Sequence, residues 1–227
     1  VSRQRGRAAF RKSEEKMPLQ KVEEARSARA RLRHATDGMH RAVDSRFAGL
    51  LADAADGYER FLTAIAGGLL PLERALTRAH IERIWPDWPY HARSAALHKD
   101  LARLDIDVPA QQAEPHLNSE AEILGVVYVL EGSRLGGAFI LRELRRSADP
   151  ARLNAIGYLS HGEGQGLWPR FLQHLEASDA VKCAPEEAEA GAALAFSYFL
   201  PHREHDLFPH EELVPPRGIR ISRPKDL

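Results

Sequence analysis

Apolar positions along this chain recur with a helical period. Leu32, Thr36, His40 and Val43 fall at i, i+4, i+8 and i+11, one face of a helix over about residues 20–45. "GYERFLTAIAGGLLPLERAL" (57–76) carries a second such pattern, loosened at Gly67-Gly68 and Pro71. "WPDWPY" (85–90) breaks the chain with two prolines, and "RSAALHKDLARL" (93–104) predicts a third helix that "DIDVP" stops. Residues 115–147 open on a cap, Asn118 or Ser119, with acidic residues in the first turn. They run as a helix of about 28 residues and close on basic side chains, as the macrodipole favours. "GVVYVL" alone would suit a buried strand, but its periodic flanks and the lack of turn signals favour helix. "GLWPRFLQHLEAS" (166–178) and "PEEAEAGAALAFSYFLPHREH" (185–205) predict two more helices, the latter starting on proline. No β-alternation is sustained and no fixed-period repeat is visible. The expected fold is all-α, a single-domain bundle of about six to eight helices.

Composition narrows the classes. A chain of 227 residues can bury a core without staples. Its single cysteine, Cys183, excludes an intrachain disulfide framework and a four-thiolate zinc site, and fits a reducing compartment. No unbroken apolar run approaches the roughly 20 residues of a membrane span, and "VSRQRGRAAFRKSEEK" lacks the hydrophobic core of a secretory signal. A soluble, cytoplasmic protein without membrane association is expected. Charge balances at 32 Lys+Arg against 32 Asp+Glu, yet residues 1–34 hold eleven basic and four acidic side chains. No aromatics alternate with those basic residues, which argues against nucleic acid as a partner. The expected organisation is a loose basic arm over 1–24, a helical domain over 25–206, and a Pro- and charge-rich tail over 207–227 that includes "PPRGIRISRPKDL".

Two features carry chemistry. His40 sits on a helix face with Asp44 one turn later. An imidazole that ligates iron usually donates its second ring N–H to such an acceptor. Arg33 lies seven residues earlier at nearly the same angle, about 10 Å along the axis. That separation suits a cation at the carboxylate edge of a flat macrocycle centred over His40. The alternative is a half-buried histidine, with Asp44 paired to Arg41. The second feature is "EGSRLGGAF", where Gly132, Gly136 and Gly137 interrupt the longest helix at about 1 kcal/mol each. Either close helix packing or a bend against a flat ligand would account for them. A histidine on one side and bare backbone on the other together suit an iron macrocycle that must leave room for oxygen. His202, His205 and His210 fit no closed tetrahedral pattern and read as a solvated segment. "GEGQG" (162–166) lacks the strand and Lys-Ser/Thr of a phosphate loop. His34, His80, His91, His98 and His174 read as surface or boundary positions. No Glu-x-x-His pair recurs across helices, against a di-iron bundle.

"LRHATDGMHRAVD" (32–44) and "LGVVYVLEGSRLGG" (124–137), supported by "GLWPRFLQHLE" (166–176), resemble the biliverdin-producing haem oxygenases, particularly the bacterial branch often found with bacteriophytochromes. The likeness covers about residues 28–200. It implies a helical bundle of the haem-oxygenase type. It implies His40 as the proximal iron ligand, Asp44 as its hydrogen-bonding carboxylate, and Arg33 near a haem propionate. Gly132, Gly136 and Gly137 match the flexible distal helix. Ser133 stands where animal members carry an aspartate that organises water, as in the bacterial branch; a hydroxyl orders water without charge. Tyr128, one turn before Gly132, is a pocket-lining candidate, Arg170 a candidate for the second propionate, and Phe196 and Phe199 candidates for packing on the ring. Arg134 and Glu131 lie at a different helical phase from Gly132 and Gly136 and are not assigned. The implied activity is oxidative cleavage of haem b, both cofactor and substrate, to biliverdin, carbon monoxide and iron. It uses O2 and electrons from a separate donor such as a ferredoxin or reductase, with a bacteriophytochrome as a possible recipient of biliverdin. The rival reading is a non-enzymatic haem- or biliverdin-binding protein on the same scaffold.

Overall fold

The computed structural model describes residues 27–53, 55–147 and 149–201; the basic arm, the tail and His202, His205 and His210 lie outside them. Among the described residues there are eleven helices and no strand: α1 (Ala28–Leu51), α2 (Gly57–Arg78), α3 (Ile81–Ile84), α4 (Trp88–His91), α5 (Ser94–Arg103), α6 (Glu120–Ser147), α7 (Pro150–Leu153), α8 (Gly157–Ser160), α9 (Leu167–Ala177), α10 (Asp179–Cys183) and α11 (Pro185–Ser197). Six are the helices that periodicity predicts. The other five are single turns of four or five residues that fill the connections.

Local chemistry sets the ends. Ser27 caps α1, its Oγ accepting from Ala30 N at 3.1 Å, and the Glu176 carboxylate accepts from the next orphan donors, Ala28 N at 2.9 Å and Arg29 N at 3.0 Å. For α6 the cap is Ser119, whose Oγ accepts from Glu122 N at 3.2 Å, while the Glu122 carboxylate accepts from Asn118 N at 2.7 Å. The last helix stops at Ser197 rather than 205, because Tyr198 to Leu200 tighten into i→i+3 bonds before Pro201. Gly67-Gly68 and Pro71 do not interrupt α2, which runs unbroken over 22 residues. Gly68 is needed for a different reason: a Cβ there would lie 2.6 Å from the Phe199 ring.

The core is built on α6 and α11. From Ala121 to Leu130 nearly every side of α6 is buried, and beyond Gly132 only one side is, with Leu141 and Leu144 inside and Leu135 and Phe139 outside. By length and composition alone α6 could cross a bilayer, but α11, α9, α8 and α10 pack along it, and it is a core helix. The small face of α11 (Ala188, Gly191, Ala192, Ala195) lies on α6 with backbones touching: a Cβ on Gly125 would be 2.0 Å from Ala188 O, and one on Gly191 would be 2.1 Å from Glu122 O. α1 packs on α11 as well, and Arg46 donates to Phe199 O just past the end of α11. α2 carries the opposite wall of the core with Tyr58, Phe61, Leu62, Leu69 and Leu76, and Tyr58 Oη donates to Ala155 O at 2.6 Å.

Gly125→Ala and Gly191→Ala are each expected to destabilise the fold by about 1–3 kcal/mol, because the added methyl meets backbone. Gly67→Ala, where a Cβ meets nothing within 4 Å, is expected to stabilise α2 by up to about 1 kcal/mol. Denaturant melts of the three variants check both signs.

Candidate functional site

On α1, His40 Nδ1 and Asp44 Oδ2 are 2.9 Å apart. The carboxylate accepts, so Nδ1 carries the hydrogen and the lone pair of Nε2 is left for a ligand. Arg41 turns the other way and pairs with Asp37, so the Asp44–Arg41 pairing does not form. Leu32, Thr36 and Val43 are buried on the same face, but the His40 side chain is 62 % exposed and rests only its ring edge on Phe196 of α11, at 5.8 Å. Arg33 is exposed on the same helix.

The glycines of α6 divide by role. A Cβ on Gly137 would meet Leu159 of α8 at 3.3 Å, and one on Gly132 would meet Trp168 of α9 at 3.7 Å. A Cβ on Gly136 would meet nothing within 4 Å. Close packing therefore accounts for Gly137, and bare backbone open to a ligand remains at Gly136, flanked by exposed Leu135 and Phe139. One turn before Gly132, the buried Tyr128 ring packs on Trp168 at 5.6 Å. Burial raises its hydroxyl above the usual tyrosine value, and the charges of Arg29 and Arg33 on α1 oppose that rise, which places this part of α6 within electrostatic reach of α1. Arg170 is half exposed and faces Asp87 at 3.9 Å.

A polar cluster, largely buried but exposed at Ser133, lies on the core side of the same stretch, and sequence reasoning did not assemble it. Arg93 Nη2 donates to Ser133 Oγ at 2.9 Å and to Leu130 O at 2.6 Å, and Ser133 Oγ donates to Leu130 O at 2.7 Å. The Arg93 guanidinium lies over the Tyr158 ring at 4.8 Å, and Arg93 N donates to Glu73 at 2.8 Å. His91, expected at the surface or boundary, is buried: Trp85 covers its ring at 4.1 Å, and its Nδ1 meets Glu131 Oε2 at 2.8 Å. Arg134 closes on Glu131 from the other side, at 2.9 and 2.8 Å. Burial alone would raise Glu131, but hydrogen bonds from His91 and Arg134 and the charges of Arg134 and Arg93 hold it below the usual carboxylate value. A signal was present: a carboxylate inside "VVYVLEG" must have a buried partner, and the arginine at i+3 was the nearest one.

Among the described residues no group of three or more His, Cys, Asp or Glu is placed to hold a metal ion. The Heme oxygenase family profile matches residues 26–202. The chain belongs to the haem oxygenase family. It is an oxidoreductase of that family, and family membership makes haem its substrate. It is 34 % identical over 146 residues to a haem oxygenase of Xanthomonas campestris pv. campestris, an alignment covering 64 % of this chain and 87 % of that one. It is 30 % identical over 148 residues to haem oxygenase PigA of Pseudomonas aeruginosa, covering 63 % of this chain and 74 % of that one. The fold is similar to that of the NO- and CO-bound haem oxygenase from Neisseria meningitidis, with a TM-score of 0.66 and 25 % identity over 77 % of this chain and 89 % of that one.

Two partly buried histidines, His161 and His174, are expected to make the fold acid-sensitive. Burial lowers His161, with the charges of Arg134 and Arg93 adding to it, and burial lowers His174 against the pull of Glu120 and Asp87. Below the ordinary imidazole value of 6.5 the unfolded chain therefore takes up protons before the folded one does, and stability falls with pH; Glu131 continues the same trend below its ordinary 4.5. The melting temperature is expected to drop between about pH 7.5 and about pH 5.5, and the His161→Asn/His174→Asn variant is expected to flatten that slope.

Proposed function

We propose that this haem oxygenase holds haem b between α1 and the open face of α6 and cleaves it to biliverdin, carbon monoxide and iron. The observation that carries the reading is His40 with its Nδ1 engaged by Asp44, which leaves Nε2 as the nitrogen to ligate iron, alongside an open glycine and apolar face on α6. The residues fit the group. A flat iron macrocycle with two carboxylates needs one imidazole, cations at one edge, and apolar side chains still uncovered. Bound haem supplies the iron that activates O2 and the meso carbon that is oxidised.

The protein's part is positioning. His40 Nε2 would hold the haem iron, with Asp44 fixing the imidazole's tautomer and ring plane. Arg33 meets one propionate and Arg170, released from Asp87, the second. Leu135 and Phe139 lose their exposure to the ring, worth about 1.5–3 kcal/mol each on full burial. Gly132 and Gly136 would let the backbone of α6 approach bound haem without a Cβ in the way, while Gly137 keeps that helix close to α8. Ser133, held by Arg93, offers its remaining lone pair to water, so that water is oriented without a carboxylate. Tyr128 lines the pocket near the basic residues of α1.

Residues 25–206 form the catalytic domain in this reading, with 1–24 and 207–227 as arm and tail. The electron donor is a separate ferredoxin or reductase. Ser133 supports placement in the bacteriophytochrome-associated branch, with a bacteriophytochrome as acceptor of biliverdin and the cytoplasm as compartment. Neither nucleic acid nor membrane has a role.

Haemin added to the protein is expected to give a Soret band that is lost, with biliverdin appearing, once a reductant and O2 are supplied. A band that persists would mark a carrier instead. His40→Ala is expected to abolish turnover and Asp44→Asn to cut haemin affinity or activity by about 10–100-fold.

A further inference from the structure

Glu131 immediately precedes Gly132, and Arg134 stands between Gly132 and Gly136. The Arg134 fork grips Glu131 through Nε and Nη2, and its remaining donors leave the helix: Nη2 to His91 O at 2.7 Å on α4, and Nη1 to His161 O at 2.9 Å in the turn after α8. His91 adds its own ring bond to Glu131. One guanidinium thus joins three segments at the point where α6 is softest, with three glycines within six positions. The opposite side of the stretch has no protein contact at Gly136 to steady it.

Bulk stability does not explain this cluster. Apolar residues of similar volume commonly replace a buried ion pair at no cost to stability, whereas losing one partner is costly. What charges add is a defined geometry. Residues one apart on a helix differ by about 100° around the axis. A rotation of α6 by roughly 40–60° would swap the bare backbone of Gly136 for the bulk of Phe139, with Leu135 beyond it, in one direction, or for Ile140 and Ser133 in the other.

We propose that His91, Glu131 and Arg134 are positioning residues that fix the rotation of the glycine-bearing half of α6, and so decide which meso edge of the haem the bare backbone leaves accessible. The proposal rests on haem lying against that face, as above. Its consequence is that the clamp governs kcat and product isomer without governing haemin affinity.

Three variants test it: Glu131→Gln, which puts a donor where two donors converge; Arg134→Lys, which keeps the charge and loses the fork; and the apolar triple variant His91→Leu/Glu131→Leu/Arg134→Met, which keeps a packed core without the clamp. In the haem-free proteins, amide exchange over residues 132–140 is expected to speed up by about tenfold or more. Haemin titrations should give dissociation constants within about threefold of the parent, with kcat falling by about tenfold or more and the biliverdin isomer ratio shifting. Parental exchange rates together with the parental isomer ratio in any variant that folds and binds haemin would overturn the clamp. If both polar variants fail to fold, the triple variant decides on the same two readouts. A triple variant that also failed to fold would itself overturn the proposal, since the cluster would then be holding the core. Failure of the parent to bind haemin, or unchanged binding by His40→Ala, would instead sink the functional reading and say nothing against these contacts.

Discussion

The backbone crossing of α6 and α11 is the constraint on which the rest of this structure depends. Gly125 and Gly191 face each other's helices with no room for a methyl group, which sets those two helices as near as helices can lie. α1 rests on another side of α11, so α11 acts as the spacer between the histidine-bearing helix and the glycine-bearing one. Small residues along α11 (Ala188, Ala192, Ala195) keep that spacer thin. In the proposed reading haem lies between those two helices, and α11 is what holds them apart.

The long helix α6 is two objects joined at Gly132. Its first half is core on nearly all sides, an anchor whose apolar composition needs no ligand to explain it. Its second half presents Gly136, Leu135 and Phe139 outward and a charged cluster inward. Leu135 and Phe139 stand exposed one turn apart beside an uncovered glycine, and the proposed reading has haem cover them. The inward cluster balances two carboxylates, Glu73 and Glu131, against two guanidiniums, Arg93 and Arg134, which lets so many charges stay buried.

Legibility in the sequence followed the range of the interaction. His40 with Asp44, the Ser119 cap, the Pro185 start and the 28 residues of α6 are local patterns, and each was readable from spacing within a helix. The glycines of "GSRLGG" were recognisable as unusual, but only the structure separates Gly137, packed on Leu159, from Gly136, which faces open space. Gly125 and Gly191 drew no attention, because a crossing depends on which helices meet and that is a tertiary fact. His91 followed a proline-broken connection and read as a surface or boundary residue, and Arg93 opened a predicted helix with no partner in view; Trp85 of that connection folds back over His91, and Tyr158, 65 positions away, lies under the Arg93 guanidinium. Arg170 carried a role by resemblance, and its nearest carboxylate, Asp87, comes from the same proline-broken stretch.

A crystal structure of the haemin complex tests the central claim most directly. The account predicts iron coordinated by His40 Nε2, Asp44 still bonded to Nδ1, and the ring covering Leu135 and Phe139 with Gly132 and Gly136 above its open face. Iron ligated by any other side chain, or a ring seated away from α6, would contradict it.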